Sequence, residues 1–129
     1  MSSDHAATIA ARALTDATQD IQKGAWSLYA LHAQHGAARS ARDIADEEKR
    51  ILQKMDAAFK VFAQDYDLPP DLSAAAKDEL GRINIALVNL KAFSMTGQQA
   101  EMEIAATQVQ DACERIRSAA RPYAYRSPT

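Results

Sequence analysis

Few side chains in this sequence have the type and spacing that chemistry needs. His32 and His35 stand three residues apart, which puts two imidazoles on one helix face, within reach of a shared metal ion. Di-iron helical bundles complete such a site with Glu-x-x-His pairs and further inward glutamates. The sequence contains no Glu-x-x-His, so the ligand set is incomplete and no metal is expected. Both histidines precede Gly36, and a cation there suits the negative end of a helix dipole. Cys113 is the one cysteine. It falls on the inward side of a helix and is flanked by alanines, the setting of an inert buried thiol rather than a nucleophile. The run Asp46-Glu47-Glu48 beside Lys49-Arg50 reads as a solvated face with local ion pairs. There is no glycine-rich phosphate loop, no Cys-x-x-Cys and no basic-aromatic cluster. The expectation is no catalytic residue, no cofactor and no enzyme activity.

Glu48 differs from its acidic neighbours because it occupies a seam position between Ala41 and Met55. A fold-back through residues 36–40 sets it opposite Leu28 to His32. A hydrogen bond with His32 or Tyr29 would then satisfy a partly buried carboxylate. The alternative is a carboxylate bent out to solvent near the bundle end. The segment His32-Ala-Gln-His35-Gly36 also resembles the His-x-x-Lys-Gly segment of histidine phosphotransfer domains, themselves four-helix bundles. The resemblance covers five residues, with His35 in place of the lysine. It implies that His32 accepts phosphate from a partner response regulator, and hence a signalling role.

The elements that position these groups follow from breakers and periodicity. The chain has 129 residues, 47% of them hydrophobic and 25% charged, with four glycines and four prolines. That describes a single domain, residues 1–129, with one core, and excludes a disordered tail, a collagen-like fibre and a disulfide scaffold. Gly36, Pro69-Pro70 and Gly97 divide it into four stretches, none of which reads as a strand. Apolar residues recur three and four apart in each. The stripes are Ala10, Leu14, Ala17, Ile21 and Leu28; then Ile44, Ile51, Leu52, Met55, Phe59 and Phe62; then Leu80, Ile83, Leu87 and Leu90; then Met102, Val109, Ile116 and Tyr123.

The predicted helices span 4–35, 41–66, 73–94 and 97–121, followed by a frayed tail at 122–129. Ser40, Asp71 or Ser73, and Thr96 are the expected N-caps of the second, third and fourth helices. Short connections make the fold all-α, an antiparallel up-down-up-down four-helix bundle. The first and fourth helices are light, with Ala10, Ala17 and Gly24 in one seam and Ala105, Ala112 and Ala119 in the other, while the middle helices carry the bulk. Gly24 is expected either to kink its helix or to admit the fourth helix closely.

Fifteen basic residues against seventeen acidic ones give a net charge of −2, too balanced for a dedicated nucleic-acid binder. No apolar run approaches the ~20 residues of a membrane span, so no membrane partner is expected. The first residues lack a signal peptide's basic start and apolar stretch. With a single cysteine, the expected compartment is the cytoplasm. The functional hint is apolar surface off the stripes. Ile85, Val88, Ala92 and Met95 lie away from the third helix's core face, Trp26 and Tyr29 sit beside the first helix's seam, and Ile9, Val61 and Ile104 point outward. These features predict a non-enzymatic interaction module of adaptor, chaperone, inhibitor or regulator type. It would bind another protein, or itself as a homodimer, through Trp26, Tyr29, Ile85, Val88, Ala92 and Met95. The alternatives are phosphotransfer through His32 and a ligand- or metal-binding bundle.

Overall fold

Proline, glycine and serine set the helix ends. In the computed structural model, which describes residues 2–34, 40–64 and 68–124, four helices account for nearly every residue and no described residue is in a strand. They are α1 (Ser2–Gln34), α2 (Ala41–Ala63), α3 (Pro70–Met95) and α4 (Gln99–Ala124). The expected ends at His35 and Tyr66, the Gly36 stop and the tail beyond Ala124 lie outside the described residues.

Ser40 caps α2 as its type requires: its Oγ accepts from the Asp43 backbone N–H at 3.1 Å. The start of α3 differs from expectation. Neither Asp71 nor Ser73 caps it, because the helix begins at Pro70, with Pro69 as N-cap and no side-chain cap bond. Proline fits the first helical position, where its missing N–H is an unpaired donor in any case. The earlier start brings Leu72 fully into the core and frees Asp71 to accept from the Tyr123 hydroxyl at 2.8 Å.

Thr96 also plays another part than predicted. It terminates α3 rather than opening α4, its N–H and hydroxyl both bonding the Phe93 carbonyl at 3.3 Å. Gly97 has φ +69°, and the Gln98 N–H bonds Phe93 O at 3.0 Å, the glycine-dependent closure of a helix C-terminus. Finally, α4 does not stop before Pro122 but continues to Ala124. Two side chains of α1 hold that last turn: Thr8 Oγ1 donates to Tyr123 O at 3.0 Å and Arg12 Nε to Ala124 O at 2.9 Å. These bonds, with Ala124 buried, outweigh the single backbone bond that a proline near a helix end removes.

The helices alternate in direction. His32 meets Glu48 while Gly24 meets Met55, so α2 returns antiparallel along α1. Glu79 meets Arg115 and Asp71 meets Tyr123, so α4 returns along α3. The light helices form the centre. α4 packs closely on α1 on one side and on α3 on the other, burying Met102, Ala105, Ala106, Val109, Ala112, Cys113, Ile116, Ala120 and Ala124. Such small residues let helix axes approach.

The bulky α2 lies on the flank. Among the described residues its backbone packs closely along α1 and makes no comparable approach to α3 or α4, and only Met55 and Ala58 are buried, with Ile51, Leu52, Phe59 and Phe62 half-buried beside them. Gly24 does serve close packing, but its neighbour is Met55 of α2 rather than α4. A Cβ at Gly24 would overlap Met55 Cγ and lie 2.5 Å from its Sδ. Val61, expected to point outward, is half-buried and packs against both clusters of the core.

Candidate binding surface

A helix advances 100° per residue, so a side opposite a buried stripe faces water. In α3 the buried stripe is Leu72, Ala76, Glu79, Ile83, Ala86 and Leu90. On the opposite side stand Ile85, Val88, Ala92 and Met95, all exposed, with Ile85 at 66%, Val88 at 68% and Met95 at 79%. Four apolar residues at spacings of three, four and three make a continuous ridge. That is the a/d pattern of a helix pairing with another helix. Gly81, one step earlier in the same pattern, has nothing within 4 Å of where its Cβ would be.

Trp26 and Tyr29 do not join this ridge. Their rings meet edge to face, with centroids 5.6 Å apart and planes at 86°. The Trp26 indole N–H donates to Gln110 Oε1 of α4 at 2.8 Å, which satisfies the polar end of a half-buried tryptophan. Trp26 borders a hollow with Gln19, Gln22, Lys23 and Arg117, on the α1 side of α4. Ile85 borders a different hollow, with Gln108, Asp111 and Arg115, on the α3 side. The six residues singled out in the sequence therefore fall on two separate surfaces. Ile9 and Ile104 are exposed as expected, at 51% and 52%.

A groove opens between α2 and α3 where their backbones stay apart. It has a volume of about 430 Å³ and is lined by Leu28 and His32 of α1, Glu48 and Leu52 of α2, and Asn84, Leu87, Val88, Leu90, Lys91 and Ser94 of α3. At its edge His32 Nε2 lies 3.3 Å from Glu48 Oε2, with the two side chains 17% and 24% exposed. The seam position of Glu48 thus yields the His32 contact, not a carboxylate bent to solvent. A phosphoacceptor imidazole must be presented to a partner, whereas this ring is mostly covered and its Nε2 faces a carboxylate. His35 and Gly36 of the phosphotransfer-like segment lie outside the described residues. Among the described residues no group of three His, Cys, Asp or Glu side chains could hold a metal ion.

One polar centre escaped the sequence reading. Glu79 is buried at the α3–α4 contact, where its Oε1 accepts from Arg115 Nε at 2.9 Å and Arg82 Nη1 at 2.6 Å, while Oε2 is buried without a hydrogen bond. Burial pushes this carboxyl up, but the Arg115 hydrogen bond and the charges of Arg115 and Arg82 more than reverse it, holding it below the usual carboxylate value. The signal was present, since Glu79 stands seven residues from both Leu72 and Ala86 in the core stripe. Arg117 of α4 reaches across to α1, donating to Thr18 Oγ1 at 3.3 Å and Gln22 Oε1 at 2.7 Å. Cys113 is fully buried, and burial pushes its thiol up to about 12, against a smaller opposing effect of Arg117. It is poorly placed to act as a nucleophile.

No family model matches this chain, and no curated protein or solved structure is similar to it. No helix among the described residues is long and apolar enough to cross a membrane.

Proposed function

We propose that this protein is a non-enzymatic interaction module that binds a partner helix along the outer ridge of α3, the simplest supplier of that helix being α3 of a second copy. The reading rests on one observation. Ile85, Val88, Ala92 and Met95 are exposed together, in the three-four-three spacing of a helix-pairing seam, on a helix whose other side is already buried. Two copies of the ridge placed antiparallel about a two-fold axis bring each ridge onto the same surface of its partner, as a symmetric dimer requires. Adaptor, chaperone, inhibitor and regulator roles all use such a face.

The test is Val88→Asp, alone and with Ile85→Asp, in sedimentation velocity over a range of concentrations. Neither residue contributes to the core, so helicity should be unchanged. The wild type should sediment as a concentration-dependent dimer and the variants as monomers. A wild type that stays monomeric removes the second copy as partner. If, in addition, the same substitutions leave capture of partners unchanged, the ridge has no binding role.

A further inference from the structure

The groove between α2 and α3 is built in layers. Leu28, Leu52 and Leu87 line its middle, and His32, Glu48 and Lys91 lie near its rim. Each polar residue is four positions from its apolar counterpart on the same helix. Because α1 and α3 run in one direction and α2 in the other, all three steps lead the same way. The polar layer therefore sits one turn, about 6 Å, toward one end of the bundle. The groove is apolar in its middle and carries its ionisable side chains at one end, the uncharged Asn84 lying toward the other, which matches an amphiphile with a charged head.

Its volume of about 430 Å³ falls within the roughly 300–1,000 Å³ of small-molecule sites, too little for a folded partner but enough for one alkyl chain. The charges at the rim select the head. Glu48 is turned onto His32, while the Lys91 ammonium forms no ion pair among the described residues. We infer that the groove binds a single-chain amphiphile with an anionic head, of the fatty carboxylate class, with the alkyl chain on Leu28, Leu52 and Leu87 and the carboxylate on Lys91. This site is separate from the α3 ridge, which it touches at Val88 alone.

Isothermal titration of the full chain with octanoate, decanoate and dodecanoate, below their micellar concentrations, tests the assignment. Binding should be one to one and strengthen about three- to fourfold per added methylene, the increment of burying a CH₂ group. Dodecan-1-ol and dodecyltrimethylammonium should bind at least about tenfold more weakly than dodecanoate, and Lys91→Glu should weaken dodecanoate by a similar factor. Leu52→Trp should block the groove, whereas Ile9→Asp, exposed near the other end of α1, should leave binding unchanged. Amide shifts on adding dodecanoate to the wild type should cluster around Leu28, Leu52, Leu87 and Lys91, which keeps the site testable even if Leu52→Trp fails to fold. The absence of saturable binding, or shifts that centre elsewhere, would overturn the site. Equal binding of the alcohol or the cationic amphiphile, or indifference to Lys91→Glu, would overturn the anionic head.

Discussion

Glu79 is a buried carboxylate whose surroundings make the stability of the fold depend on pH. Its carboxyl lies below its ordinary value in the fold, so the charged form stabilises the folded state above the ordinary carboxylate range. That contribution fades as pH falls through the ordinary value toward the lowered one. Glu79→Gln should cost about 1–2 kcal/mol at pH 7, since Arg82 and Arg115 are half-exposed and remain hydrated without their partner. Urea denaturation of both proteins from pH 7 to pH 3 should show that difference closing below the carboxylate range. A constant gap would mean that Glu79 acts through shape and not charge.

Cys113 gives a second readout at this scale. With its thiol pushed to about 12, a thiol-specific reagent should leave it untouched in the folded protein at neutral pH and modify it fully in denaturant. Rapid modification under native conditions would show that the α4 seam opens. Cys113 was legible from its alanine neighbours, and the His32–Glu48 contact from the seam position of Glu48. Glu79 carried a signal in its place seven residues from Leu72 and Ala86, but its burial becomes readable only when Arg115 of α4 is placed beside it.

Between helices the most informative contact is Gly24 with Met55. Alanine at Gly24 gains about 1 kcal/mol of helix propensity but must displace the Met55 side chain, an overpacking cost of roughly 1–3 kcal/mol. Gly24→Ala should therefore destabilise the wild type. In a Met55→Ala background, where the obstruction is gone, the same change should stabilise. A double-mutant cycle measures both, and the same sign in both backgrounds would remove Met55 as the reason for the glycine. Helix number and faces could be read from spacing alone, because a stripe three and four apart has one interpretation. Helix ends could not always be read. Pro122 signals a stop, and what carries α4 past it is Thr8 and Arg12, more than a hundred residues away in sequence. Ser40 was readable because its cap bond is local.

For the molecule as a whole, the four helices differ in how firmly they are held. α4 packs against two neighbours and α2 closely against one, and most of α2's large side chains are half-buried. Regions with fewer buried contacts open locally at lower free energy. Hydrogen exchange should find the amides of α2 the least protected of the helical interiors and those of α4 the most. Equal protection in α2 and α4 would mean that the open side of the bundle is closed in solution. The sequence showed which helices are light and which heavy, but not that the light pair takes the centre. That depends on how closely alanine-lined axes approach, and spacing along one helix does not encode a distance between two.

The pairing of α1 with α4 also bears on the order in which the chain can fold. α2 can pack on α1 as soon as it forms, but the alanine-lined face of α1 gains its other neighbour only with α4, the helix farthest from it along the chain. The centre of the core therefore closes only after α2 and α3 have been made and α4 has followed them. A helical bundle with short connections would ordinarily be a fast folder. This one places a large share of its packing, α1 on α4, at the widest sequence separation among its helices, which should slow it relative to bundles whose packed neighbours are all consecutive.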